Sequence, residues 1–500
     1  MAEAFASIHQ WPCLTRREQQ NVQVGTGCPQ EVWREWESAH RCPGGSSGCP
    51  LGPSRQPAAV RNSRPGLPGV EMAMGFGYPC GCNGRVTRLT PLAAPSVVVF
   101  TTYPIVKPRH GGQIRTRALV EKYGSAGFEV AHLAVYEQGA FPRDAIGPID
   151  VAFDKEDARW FFEGREIPQT ADLRCGRFAA EADDVYRQIL RSLPKTIDVF
   201  HVEQPWLLPL VKRLKTEPRF AHAVVVYGSQ NVEAPLRNAI FRQLSIRNGD
   251  GFITAIHALE EDACRYAQLT LAVAPADLET MSHWGAKKML LAPNGISAWE
   301  APARKVEEWR EKLGLRRVVL FVGSGHAPNV DGFLRAFGHG LGFIPPDCKI
   351  VMAGSVGPVL REHYLNSRYS SLDLSRIEVT GEIDNDDLSA LKTLADVFLL
   401  PIFEGGGSNI KTAEAIYSGK QVLATSTSLR GYDAFLHLPE INVANTQAEF
   451  RAAVARIVAP DAPSPRRGVN GVEVRSKLLW NSCLEVVPPA VKGLLAETRA

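Results

Sequence analysis

No stretch of this 500-residue chain holds the roughly 18 consecutive apolar residues that span a bilayer. The opening MAEAFASIHQWPCLTRREQQ lacks the apolar core of a signal peptide, so a cytoplasmic protein is expected. An excess of either charge is missing too. Fifty-six basic residues face 53 acidic ones, a formal net charge of +3, which gives a polyanion nothing to bind, so no nucleic-acid partner is expected. A disulfide framework is also missing. Of ten cysteines, six lie before residue 83 (Cys13, Cys28, Cys42, Cys49, Cys80, Cys82) and the other four are scattered singly. Cys42, Cys49, Cys80 and Cys82 offer four thiolates, but their spacings do not match the paired C-x2-C pattern of a zinc site.

What is present is an ordinary globular composition, 45% hydrophobic and 22% charged, in a chain too long for one core. The first 95 residues stand apart. They hold eleven of the 35 prolines and runs such as CPGGSSGCPLGPSRQP, which bury too little apolar area to offset chain entropy. Residues 1–94 therefore read as a low-complexity, largely unstructured extension, or as sequence ahead of a true start at Met72 or Met74.

From Ser96 the pattern becomes short apolar runs separated by amphipathic stretches. SVVVF (96–100), a helix over 113–126 and EVAHLAV (129–135) form a βαβ unit. Further strands are expected at IDVFHV (197–202), AVVVY (223–227), FITAI (252–256), TLAVA (270–274) and KMLLAP (288–293). Pro293-Asn294-Gly295 marks a break, followed by the helical stretch EAPARKVEEWREKLGL. A second series then runs through RVVLFVG (317–323), KIVMAG (349–354), IEVTGEI (377–383), DVFLLP (396–401) and QVLAT (421–425). The expected fold is α/β, two Rossmann-like doubly wound domains (95–296 and 297–475) facing across a cleft. Residues 476–500 are expected to form a helical segment that packs back across the domains, interrupted at Pro488 and Pro489.

The stretch most informative about chemistry is EGGGSNIKTAEAIYSG (404–419), between a strand and a helix. Gly405, Gly406, Gly407 and Ser408 let the backbone approach a ligand while the helix-start amides point outward, an arrangement suited to a diphosphate. Lys411 in the first turn is unfavourable for the helix dipole but useful to phosphate oxygens. Glu414, one turn further, has the acceptor-only carboxylate that two vicinal ribose hydroxyls need. Tight helix packing is the competing explanation for such glycines.

This stretch resembles the donor-binding signature of glycosyltransferase family 4, the retaining GT-B enzymes. SVVVFTTYPIVKPRHGGQIRTRAL, SQNVEAPL, APNGI and FVGSGHAPNVDGF are similar to further family segments in the same order. The resemblance covers about residues 96–490 and implies a GT-B enzyme of polysaccharide or glycoconjugate biosynthesis. It implies a sugar moved from a nucleotide diphosphate sugar to a carbohydrate, lipid-linked or other small-molecule acceptor, with retention of configuration. A peripheral membrane contact is compatible with such an acceptor. By resemblance, Glu414 holds the donor ribose, and Gly405, Gly406, Gly407, Ser408 and Asn409 surround the diphosphate or sugar. The chain departs from the family twice. Gly406 stands where the first glutamate of the family's pair falls, with Glu404 nearby as a substitute or a loop cap. Gly323, Ser324, Gly325, His326 and Asn329 occupy the place of a common basic pair, which leaves phosphate neutralisation to Lys411.

In the first domain, Gly111 and Gly112 precede a helix and offer amides to the leaving diphosphate or the acceptor, or form an ordinary turn. His110 beside them ranks low as a phosphate donor. Strand alternation puts His201 and Glu203 on one face, as catalytic candidates or as a core residue and a cap. Many family members carry a histidine where Glu203 falls. Asn231 and Glu233 are candidates for the acceptor or for starting a helix. The implied mechanism is front-face departure, in which the leaving phosphate helps deprotonate the attacking hydroxyl, with no cofactor or metal; no D-x-D motif lies near the cleft strands. A nucleotide-sugar epimerase of the same plan, or a catalytically inactive nucleotide-binding protein, are the alternatives.

Overall fold

The computed structural model describes residues 94–459 and 472–499, apart from 315, 326, 339 and 405–407. Two all-parallel sheets carry the fold. The first is built from β1 (Ser96–Thr101), β2 (Glu129–Glu137), β3 (Val151–Phe153), β4 (Val199–Glu203), β5 (Val224–Gly228), β6 (Leu269–Ala272) and β7 (Met289–Leu291). Its order is β3-β2-β1-β4-β5-β6-β7. The second contains β8 (Arg317–Val322), β9 (Cys348–Ala353), β10 (Ile377–Gly381), β11 (Val397–Leu400), β12 (Gln421–Ala424) and β13 (Ile441–Val443), in the order β10-β9-β8-β11-β12-β13. These are two doubly wound, Rossmann-like domains. The central strands are β-branched and aromatic and buried along their length, as strands covered by helices on both faces must be.

Strand order reverses between β1 and β4, with Val97 opposite Val199, and again between β8 and β11, with Val319 opposite Val397. At such switch points the loops leaving the carboxyl ends diverge and open a crevice. The segments leaving β1, β4 and β11 therefore supply the site. One apolar cluster joins the two halves, with Leu119, Val199 and Ile296 in contact continuity with Leu320, Leu400, Ala413, Ile416 and Trp480.

Two expectations are corrected. FITAI is no strand; Phe252–Ile256 lies inside the helix Asp250–Tyr266. Phe252, Ile256, Glu260, Ala263 and Cys264 are its buried positions, a helical period that outweighs the β-branched composition of the short run. Nor do Pro488 and Pro489 interrupt a helix. They open the helix Val487–Arg499, where the first-turn amides have no intrahelical acceptor and a missing N–H costs nothing. The terminal segment returns to the first domain. The Ile296 amide donates to the Leu478 carbonyl (2.8 Å) and the Trp480 amide to the Ile296 carbonyl (3.0 Å). Lys492 donates to the Ala126 carbonyl (2.7 Å) and Lys288 pairs with Glu497 (2.6 Å). The four described cysteines, Cys175, Cys264, Cys348 and Cys483, are free and buried. Among the described residues no helix is long and apolar enough to cross a membrane.

Candidate functional site

The loop leaving β1 is tied down before its helix begins. His110 caps the helix Gly111–Ser125: its Nδ1 accepts the Gln113 amide (3.4 Å), while Gln113 Oε1 accepts the Arg109 and His110 amides (2.7 and 3.3 Å). With Nδ1 accepting, the imidazole proton is assigned to Nε2, which is buried and has no partner among the described residues. Burial pulls the His110 pKa down to about 3, so the ring is neutral and stays a donor at Nε2. Position 112 is crowded: a Cβ there would stand 2.7 Å from Gln230 Oε1 and 3.1 Å from the Tyr103 hydroxyl, so a larger residue must displace the Gln230 side chain.

Arg115, one turn into that helix, is a buried hub. Its Nη1 donates to the Ala292 carbonyl (2.9 Å) and to Asn294 Oδ1 (3.3 Å), and its Nε lies 3.5 Å from Glu203 Oε2. Nη2 is buried with no hydrogen-bond partner among the described residues. Glu203 and His201 share a face of β4, as alternation predicts. His201 Nε2 meets Glu203 Oε1 at 3.1 Å, and His201 Nδ1 meets the Tyr123 hydroxyl at 2.9 Å. Gln230 Nε2 donates to Glu203 Oε2 and to the Tyr103 hydroxyl, both at 2.6 Å. Burial pushes the Glu203 pKa up, but Arg115, His201 and Gln230 outweigh it and hold the carboxyl below its usual range. Both side chains are fully buried and neither lines the cavity. They support its wall through Arg115 and Gln230.

The cavity, about 110 Å³, lies between the carboxyl ends of the first sheet and the start of the helix Ile410–Ser418. Gly111, Gly112, Asn231, Glu233 and Ser408 all line it, as does His110. Its far wall is a polar cluster. Gln204, held at φ 65° where a non-glycine residue is strained, donates to Glu233 Oε1 (3.0 Å). Arg237 pairs with Asp172 and, at 3.4 Å, with Glu233. Glu260 accepts the Glu233 and Ala234 amides (2.6 and 3.0 Å), capping the helix Glu233–Gln243 from the helix Asp250–Tyr266. Burial raises the Glu260 pKa to about 8 despite those two bonds, and burial raises Glu233 as well.

Across the cavity, Asn409 caps the helix Ile410–Ser418 by accepting the Lys411 amide (3.1 Å), and Tyr432 donates to the Asn409 carbonyl (2.8 Å). Gly419 closes that helix at φ 66°, the left-handed cap that glycine takes without strain. Asn294, between the two sheets, donates to the Ser408 carbonyl and hydroxyl (3.2 and 3.1 Å), and so links Arg115 to Ser408. Gly405, Gly406, Gly407 and His326 lie outside the described residues, and Glu404 is exposed.

Lys411 and Glu414 are not at the larger cavity. They line a smaller one, about 10 Å³, with Leu320, Val322, Phe398 and Leu400. The Lys411 ammonium reaches Asn329 Oδ1 at 3.4 Å, and burial lowers its pKa to about 8 against the opposing pull of Glu414. Glu414 is buried and ion-paired with Lys392 at 2.7 Å. Several residues in and behind these walls escaped the sequence reading, among them Arg115, Lys392, Asp172 and Arg237. Arg115 followed the glycine pair by one turn and was legible there. Lys392 interrupted the buried stripe of Leu388, Leu391 and Ala395, a signal that a lysine was going inside. Asp172 and Arg237 left no local signal, since they meet only through the fold.

Two facing Rossmann-like domains with switch-point crevices and an interdomain cavity define a GT-B fold. Residues 316–459, most of the second domain, match the family model "Glycosyl transferases group 1". No curated protein sequence matches the chain. Among solved structures, sucrose-phosphate synthase from Thermosynechococcus elongatus superposes with a TM-score of 0.59 at 16% identity, covering 81% of this chain and 100% of that one. Anabaena HepE in complex with UDP gives 0.52 at 13% identity, covering 81% and 100%. An E. coli structure described as trehalose-6-phosphate bound with UDP-2-fluoro glucose gives 0.55 at 14% identity, covering 79% and 99%.

Proposed function

We propose that the protein is a retaining glycosyltransferase that moves a hexosyl group from a nucleoside diphosphate sugar to a hydroxyl acceptor. The observation that carries this reading is the pair of facing helix starts. Gly111 and Gly112 open one, Ser408 and Asn409 the other, and one cavity lies between them inside a fold whose second half matches group 1 glycosyl transferases. Two helix starts at one space, each the positive end of a helix dipole, suit the diphosphate that departs. The buried donors His110 Nε2 and Arg115 Nη2 add to that wall. The bound UDP, or UDP-2-fluoro glucose, of the structural neighbours agrees with a nucleotide donor.

In this reading Glu414 takes the ribose hydroxyls, residues 405–409 and Lys411 take the diphosphate, and Asn231 and Glu233 orient the acceptor. The bond from the anomeric carbon to the phosphate oxygen breaks. The acceptor oxygen bonds to that carbon on the same face, and its proton passes to the leaving phosphate. Glu203 and His201 act as positioning residues that hold Arg115 and Gln230 in place. Charge is stabilised by amide dipoles and buried cations, and no metal or cofactor enters the scheme.

The test is a thermal-shift screen of UDP, GDP and ADP, followed by product analysis with the sugar forms of the best binder. A ligand at 100 times its Kd adds about 2.7 kcal/mol, a shift of a few degrees for a protein of this size. No shift with any nucleotide would overturn the reading. Binding without transfer would identify an inactive nucleotide-binding protein, and conversion of the donor sugar without acceptor an epimerase.

A further inference from the structure

We propose that Lys392 is a positioning residue that presents the Glu414 carboxylate to the donor's ribose and keeps that carboxylate away from Lys411. The inference rests on the reading that Glu414 binds the ribose. Lys392 occupies the last turn of the helix Asn385–Leu394, on the stripe shared by Leu388, Leu391 and Ala395. An aliphatic residue would pack there without penalty, whereas a lysine must give up its hydration. Its side chain is 1% exposed. The ammonium is fixed from two directions. It donates to Glu414 Oε1 at 2.7 Å and stands 4.8 Å from the centre of the Trp299 ring. Trp299 in turn packs on Tyr417, 5.1 Å between ring centres, three residues beyond Glu414 on the same helix.

A glutamate side chain turns about three bonds, and a carboxylate free to do so in this pocket has two cations within reach. Lys411 is the second: it feels the Glu414 charge and lines the same small cavity. Were Glu414 to pair with Lys411, one contact would remove both the ribose acceptor and the phosphate cation. Lys392 prevents this by committing Oε1 elsewhere, which leaves Oε2 for a hydroxyl and Lys411 for a phosphate oxygen.

The experiment measures calorimetric Kd values for UDP, GDP and ADP and compares the tightest binder with its 2′,3′-dideoxy counterpart. The wild type is expected to favour the ribonucleotide by about tenfold or more, as a hydrogen bond to a charged group implies. In Lys392→Met that ratio is expected to fall to within about twofold, while Lys392→Arg keeps most of it. If Lys392→Met does not fold, Lys392→Gln, which keeps a donor without the charge, is expected to show the same collapse. A ratio unchanged from wild type in the neutral variant overturns the proposal, because a lysine with only a packing role would alter stability and leave the ratio alone. The other failures are distinguishable. A wild type that binds no nucleotide overturns the donor reading itself, and one that binds without discriminating overturns the ribose contact of Glu414.

Discussion

Glu414 meets two demands with one carboxylate, an internal ion pair and a proposed ligand contact. Removing it as Glu414→Ala is expected to abolish nucleotide binding and also to lower stability by about 3 kcal/mol, since Lys392 becomes an unpaired buried charge. Thermal denaturation without ligand checks the second effect separately from the first. Glu260 makes the opposite case, a carboxyl that prefers its proton. Its folded pKa of about 8 lies above the ordinary value of 4.5. The folded state therefore binds more protons than the unfolded one between those values, so this contribution is full below about pH 4.5 and lost as pH rises through about 8. Replacing it as Glu260→Gln, which keeps an oxygen for the Glu233 and Ala234 amides, is expected to flatten the fall in stability from pH 5 to 8. The difference is on the order of a few kcal/mol, read by denaturant melts across that range. An equal slope in both proteins would place the titration elsewhere.

The cavity is set by where elements begin more than by which side chains they carry. The helix Gly111–Ser125 starts at a glycine pair because position 112 lies against Gln230 and Tyr103. Ala is the better helix former by up to about 1 kcal/mol, which offsets much of the packing cost of a methyl group there. Gly112→Ala is therefore expected to melt within about 1 kcal/mol of the wild type yet to lose most of its transfer rate, because the methyl displaces the Gln230 amide that holds Glu203. Rates measured beside melting curves separate the two effects; a variant with full activity would show that the Gln230 position is irrelevant to turnover. Elements also explain what could be read in advance. β1, β8 and β11 are short and apolar and glycines follow them in the chain, so local sequence sufficed. The edge strands β3 and β13, three residues each, carry too few side chains to show a period.

At the scale of the molecule, the two domains are joined by a shared apolar seam and by the terminal segment that pairs with the hinge at Ile296. Trp480 sits in that seam, 8% exposed, with its backbone against Gly295. Trp480→Ala is expected to cost about 3–5 kcal/mol and to separate the unfolding of the two domains into two calorimetric transitions. One cooperative transition at the wild-type temperature would show that the seam contributes little. Transfer is expected to persist in excess EDTA, since the proposed scheme draws its charge stabilisation from amides and buried cations; loss of activity restored by a divalent ion would contradict that scheme.

Local sequence by itself determined the doubly repeated α/β plan, because hydrophobic period acts over a few residues. Only the tertiary structure decided which charges meet. Arg115 with Glu203 and Asn294, Arg237 with Asp172, and Lys392 with Glu414 are pairings across different elements, and the first holds Glu203 behind the cavity wall. The reason is physical: whether a charged side chain faces a ligand or a partner depends on what the fold brings within a few ångströms of it, and sequence distance carries no information about that.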